Sequence, residues 1–461
     1  MQFDSEFDSV LQGGTLVFPG KDERKADIGI TAGKISAILE PGSGAVGREA
    51  IDARGKHVFP GLIDAHMHFG IAGSDDEYAS ETGAAAQGGF TSVVGYLLNS
   101  VPYSETFPKQ KALGESQSYI DFGYHFGMAR EEHLAEVPKY VEEFGVTSFK
   151  YFTNFKTDEG IYLGLTGADE GYMLDLMEAV ARYPQAVLSI HPENIEIVRR
   201  TRAKLQRGGK NSLRAWSESK PTINEALDTV KAIYVARQTK CSIYFVHVTC
   251  RLALEEIRAA RLRSNLVHAE TCPQYLTHTM DSDIGSLGKA NPPLKTADDA
   301  QALWEAIADG TIQVVGADHV ARKRATKEKD IWQSSQGFPA TPTILQVLLS
   351  EGYHKGRLSL QRVAQLLCSE PARIFGLGAS KGNIEVGFDA DLTVVDLAQE
   401  KEVRAKDFVS FADYNLYDGW TLKGWPVRTI VRGETVMKDG TLVGRQGHGR
   451  YLARHSQVRN N

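Results

Sequence analysis

The chain has 461 residues, more than one ordinary domain needs and enough for one large α/β unit plus a smaller one. Its 42% hydrophobic and 24% charged residues suit a globular core, and a net charge of −6 offers no basic surface for nucleic acid or an anionic membrane. No apolar run approaches the ~18–20 residues that cross a bilayer. The start M-Q-F-D-S-E-F-D lacks the regions of a signal peptide, and Cys241, Cys250, Cys272 and Cys368 form no C-x-x-C pair, so reduced thiols and a cytoplasmic location are expected.

In chain order, residues 1–60 read as short strands broken by turn glycines: G-T-L-V-F, A-D-I-G-I-T-A-G-K-I-S-A-I-L and G-K-H-V-F. From residue 61 to 384 the texture changes. Apolar runs (T-S-V-V-G-Y-L, I-D-F-G-Y-H-F-G-M, V-T-S-F-K-Y-F, A-V-L-S-I-H, S-I-Y-F-V-H-V, L-V-H-A-E-T, I-Q-V-V-G-A-D-H) are separated by helical stretches, among them G-Y-M-L-D-L-M-E-A-V-A-R-Y and I-N-E-A-L-D-T-V-K-A-I-Y-V-A-R. Strand–helix alternation over this length predicts an α/β protein with a parallel sheet closed into a (β/α)8 TIM barrel. Residues 385–461 return to the first texture, with A-D-L-T-V-V-D and P-V-R-T-I-V-R-G-E-T-V-M-K-D-G-T-L-V. Both chain ends are expected to build one small β-sandwich domain, and the polar, basic stretch from Gly447 is expected to be an exposed arm.

The run V-F-P-G-L-I-D-A-H-M-H carries the strongest chemical signal. In a strand, residues i and i+2 share a face, so His66 and His68 project side by side, and imidazole suits zinc and its neighbours. Four other strand-like runs end in a group able to bind metal: Lys150, His191, His247 and Asp318. Singly these read as a snorkelling lysine, packed histidines and a helix cap. Together they fall at the end of a barrel where active sites lie. Burial among Phe149, Tyr151 and Phe152 lowers a lysine's pKa, and a neutral amine can trap CO2 as a carbamate whose two oxygens bridge two cations. The set then serves two divalent ions, one with His66, His68 and Asp318, the other with His191 and His247. Zinc is the first expectation, with manganese or cobalt as substitutes.

Nearly the whole chain resembles the amidohydrolase superfamily, in the cyclic-amidase branch of hydantoinases, dihydropyrimidinases and allantoinases. The motifs are P-G-L-I-D-A-H-M-H, S-F-K-Y-F, H-P-E-N, V-H-V-T, E-T-C-P-Q-Y-L, N-P-P-L-K, G-A-D-H, S-E-P-A-R-I-F-G-L and G-F-D-A-D-L-T-V-V-D. The resemblance implies that His66, His68, carboxylated Lys150, His191, His247 and Asp318 are the metal ligands. It implies that a bridging hydroxide opens the C–N bond of a cyclic amide or imide, that Asp318 relays the proton to the leaving nitrogen, and that the positions of Asn291 and Gln336 hold the substrate. A homotetramer is the family expectation.

Departures bear on substrate. Phe155 stands where dihydropyrimidinases and many D-hydantoinases carry a tyrosine whose hydroxyl faces the carbonyl oxygen. Its absence, with K-D-I-W-Q-S-S-Q-G-F-P-A-T, resembles L-hydantoinase-like enzymes and keeps allantoinase as an alternative. Gln274 replaces a usual histidine, as either tuning or drift. His125 is assigned to the core and His319 to support of the site. The charged run at residues 321–330 is read as a solvated loop, with a lid as the alternative. A non-catalytic scaffold, like the dihydropyrimidinase-related neuronal proteins, would have lost several ligands; this chain keeps all six.

Overall fold

A computed structural model of the protein describes residues 7–71, 74–156 and 169–454. The chain ends build a nine-stranded, mostly antiparallel sheet. The first end contributes β1 (Phe7–Leu16), β2 (Arg24–Thr31), β3 (Lys34–Leu39), β4 (Gly47–Asp52) and β5 (His57–Pro60). Three of its hairpins turn on two consecutive positive-φ residues ending in glycine: Ala32-Gly33, Arg432-Gly433 and Asp439-Gly440. Such turns match the right-handed twist of the flanking strands.

Between the two ends lies the barrel. Its strands are β6 (Leu62–His68), β7 (Phe90–Leu97), β8 (Asp121–Gly127), β9 (Ser148–Phe152), β10 (Val187–His191), β11 (Ile243–Phe245), β12 (Val267–Thr271) and β13 (Val314–Val315). They pair in parallel in chain order. Every residue of these strands is buried, as a parallel sheet covered by helices requires. Closure comes from backbone bonds just past β13: the His68 N–H donates to His319 O (3.0 Å) and the His319 N–H to His66 O (3.2 Å). Helix α1 (Glu170–Ala181) buries Tyr172, Met173, Leu176, Met177 and Val180, one helical stripe, and is capped by the Asp169 carboxylate, which accepts from the Tyr172 N–H.

The second end adds β14 (Leu392–Glu402), β15 (Thr421–Val431), β16 (Glu434–Lys438) and β17 (Thr441–Leu442); β14 pairs with β5 and so joins the two ends in one sheet. Leu11, Ile28, Ile35 and Val58 pack with Leu392, Val394 and Ile430 in one apolar cluster. Strand β4 was not expected from the sequence, because its R-E-A run is exposed.

Two expectations need correction. The stretch from Gly447 to Arg454 is not an exposed arm. The Phe122 N–H donates to Arg450 O, the Leu452 N–H to Phe122 O and the Arg454 N–H to Gly145 O. The Arg454 guanidinium, 3% exposed, donates to Ser148 Oγ and Tyr124 O beneath the barrel. A buried charge is tolerated where acceptors satisfy it, which composition alone does not reveal. Residues 455–461 lie outside the described residues. The run 321–330 is not simply solvated either. Lys323 Nζ donates to Phe411 O, the Arg324 N–H to Asp413, and buried Lys327 to the carbonyls of Lys289 and Gly337. These bonds tether the segment on both sides. Among the described residues, no helix is long and apolar enough to cross a membrane.

Candidate active site

His66 and His68 leave the C-terminal half of β6 on one face. His66 Nδ1 lies 2.5 Å from Glu270 Oε1. A carboxylate there makes Nδ1 the protonated nitrogen and leaves Nε2 as an electron-pair donor. That Nε2 faces Asp318 Oδ1 at 3.1 Å and Lys150 Nζ at 3.2 Å. His68 Nε2 reaches the same Asp318 oxygen at 3.1 Å. Donor atoms of His66, His68 and Asp318 all lie within 4.8 Å of one another.

A second pair stands beside the first. His191 ends β10, and His247 lies two residues beyond β11. His191 Nδ1 and His247 Nε2 are 2.9 Å apart, while His191 Nε2 is held by Glu193 Oε2 at 3.0 Å. The His66 and His247 rings are 5.5 Å apart, so the two groups adjoin. Lys150, from β9, sits between them, its Nζ 4.2 Å from the centre of the Tyr96 ring. The structure thus brings together all six residues expected as ligands. Asp318 and His247 both adopt left-handed backbone conformations (φ +51° and +40°). Non-glycine residues there are strained, as functional positions often are.

The electrostatics follow from burial. Desolvation pushes the Lys150 amine down to about 8, with Asp318 and Glu270 opposing the shift. Burial likewise lowers His68, to about 4, and holds His247 well below its ordinary value. Asp318 is buried, which alone would raise its pKa, but its histidine neighbours hold it well below the usual carboxylate range. Burial also disfavours a charged His66, but the Glu270 and Asp318 carboxylates outweigh it and raise its pKa. Four imidazoles, an ionised carboxylate and an amine drawn down toward neutrality form a nitrogen–oxygen donor set suited to zinc-like divalent ions. The residues present therefore fit such ions.

Sequence reasoning missed the supports of this set. Glu270, on β12, also accepts from the Tyr244 hydroxyl (2.8 Å) and the His247 N–H (3.1 Å). Glu193 accepts from buried Lys220, which also bonds Asn291 Oδ1. An acidic residue at a strand end, E-T after L-V-H-A, was the available signal for Glu270. His319 is clasped between Glu81 Oε2 (2.8 Å) and the Thr341 N–H (3.2 Å). His125 lies in the core against Ser148 and Ala65 O. Gln274 Nε2 donates to Ala317 O, next to Asp318, at 3.2 Å. A cavity of about 560 Å³ opens over the cluster. His68, Lys150, His191, His247, Asp318, Asn291 and Gln336 all line it, and Phe155, stacked on Phe152 at 4.5 Å, forms part of its apolar wall.

The sequence profile of the Amidohydrolase family matches residues 57–436. The chain belongs to the amidohydrolase family. This amidohydrolase is 32% identical to a D-phenylhydantoinase of Escherichia coli over 467 aligned positions, covering 96% of this chain and 98% of that one. Among solved structures, a D-hydantoinase from a Bacillus species superposes with a TM-score of 0.90 at 29% identity, covering 98% of this chain and 100% of that one. The L-hydantoinase (dihydropyrimidinase) of Arthrobacter aurescens gives 0.89 at 28% identity, with 97% and 100% covered. These similarities place the chain in the cyclic-amidase branch of the family.

Proposed function

We propose that the protein is a binuclear-metal hydrolase that opens the amide C–N bond of a hydantoin-like ring. The observation that carries this reading is the convergence of six donor residues, five of them lining one cavity and His66 just behind them, in a chain similar along its length to hydantoinases. In this reading His66, His68 and Asp318 would hold one divalent ion and His191 and His247 the other, with carboxylated Lys150 available to both. Divalent ions held there, zinc by preference, would supply Lewis acidity and lower the pKa of water toward neutrality.

The chain's own groups do the rest. Glu270 holds His66 in one tautomer, and Glu193 does the same for His191. Asp318, kept ionised, accepts the proton of the attacking water and passes it to the ring nitrogen. Water oxygen adds to the carbonyl carbon, the C–N bond breaks, and the nitrogen leaves protonated, giving a carboxylate and, from a hydantoin, an open ureide. Asn291 and the segment at Gln336 border the ring's amide edges. Phe155 has no hydroxyl, so it donates no hydrogen bond to the developing oxyanion. The same substitution keeps allantoinase as a second reading.

We further propose a cytoplasmic homotetramer whose chain divides at 1–60, 61–384 and 385–461; all four cysteines are buried free thiols. The test is a turnover screen of metal-loaded protein on hydantoins, dihydrouracil, allantoin, dihydroorotate and simple cyclic imides. Hydantoins are expected to be opened fastest and dihydrouracil poorly. Preference for dihydrouracil would overturn the reading of Phe155, and no turnover of any ring would overturn the hydrolase assignment.

A further inference from the structure

Most charges around the cavity are already committed. Glu193 is paired with Lys220 and His191, and Asp318 with His66 and His68. Along the segment that follows Asp318, Lys323 is bonded to Phe411 O, Arg324 to Glu328, and Lys327 to backbone carbonyls. Arg322 differs. It lines the same cavity as Asp318. It is half-buried, and its Nε is shielded from solvent with no hydrogen-bond partner among the described residues. No carboxylate among the described residues pairs with it.

Desolvating a guanidinium without a partner is costly, and its planar fork fits a carboxylate by two parallel hydrogen bonds. Its backbone is held in place too, because Val320 N–H donates to Phe338 O at 2.9 Å on one side and Arg324 N–H to Asp413 on the other. A site fixed in advance loses little freedom on binding.

We propose that Arg322 determines specificity: it recognises a carboxylate at the end of the substituent carried by the cyclic amide. This rests on the hydrolase reading above. The ring lies over the metal ligands, the substituent runs along the wall formed by Phe155 and Val320, and its anionic end meets Arg322. The preferred substrates are then hydantoin-like rings with acidic side chains rather than purely aryl ones.

The test compares two substrates of equal length, 5-(2-carboxyethyl)hydantoin and 5-(2-carbamoylethyl)hydantoin, on the metal-loaded enzyme. The wild type is expected to favour the carboxylate in kcat/KM by at least about tenfold, the scale of one charge-assisted pair. That preference should shrink as salt is raised. Arg322→Met should collapse the ratio, chiefly through KM for the carboxylate, and Arg322→Lys should retain part of it. Equal turnover of both substrates by the wild type overturns the inference while leaving the hydrolase reading intact, whether or not the variants fold. An undiminished ratio in Arg322→Met also overturns it. No turnover of either ring overturns both.

Discussion

Glu270 is the residue on which the two halves of the site meet. Its carboxylate accepts from His66 Nδ1, from the Tyr244 hydroxyl and from the His247 N–H. Removing its charge should free the His66 ring and weaken its basicity. Glu270→Gln is expected to lower metal affinity roughly 10–100-fold, measured by chelator competition; an unchanged affinity would reduce Glu270 to a packing residue. Lys150 makes a different demand. Its amine reacts with CO2 only when neutral, and with a pKa of about 8 its neutral fraction rises with pH through that value. At fixed dissolved CO2, metal loading of the apoprotein should therefore increase from pH 7 to 9 and then level off; a flat profile would contradict carboxylation. Lys150→Ala should lose both activity and metal, with partial rescue by short carboxylic acids, less effective because they are untethered. Asp318→Asn should keep at least one ion yet lose about 10²–10⁴ of turnover, since an amide cannot accept the proton. The candidate ligands were legible in sequence because they fall on or just past apolar runs, most of them at the run's end and Lys150 midway along β9. Glu270 and Lys220 were not, because their meaning depends on partners far away in the chain.

Among the elements, one buried cation stands at the join between barrel and terminal sheet. Lys381 Nζ donates to Asp121 at the start of β8 (2.8 Å) and to Asp391 just before β14 (2.5 Å), with Asp389 at 3.1 Å. Arg432, in the β15–β16 turn, also bonds Asp121. These three aspartates lie close enough to resemble a cation site, but Lys381 and Arg432 already neutralise them. Lys381→Met would leave buried carboxylates uncompensated and should cost ~3–5 kcal/mol in denaturant unfolding; a loss within about 0.5 kcal/mol, as surface substitutions give, would show that the node contributes little. The barrel strands and the hairpins were readable from the sequence because burial on both faces and two-residue glycine turns leave plain marks. Strand β4 and the packed tail were not. One is exposed edge backbone, and the other is a polar segment whose hydrogen bonds come from Phe122, Tyr124, Gly145 and Ser148.

For the molecule as a whole, the barrel brings the candidate ligands from β6, β9 and β10 and from just beyond β11 and β13 together around one cavity, and closure of the sheet through His319 brings its first and last strands together there. Five separate elements converge there, more donors than one tetrahedral ion requires. On the proposed function, two ions work together. The most direct measurement is a titration of metal-free protein with zinc, following hydantoin ring opening and bound metal by elemental analysis. Activity should rise until two equivalents per chain are bound and fall when chelator removes them. Full activity in the metal-free protein, or saturation at one equivalent, would contradict that function.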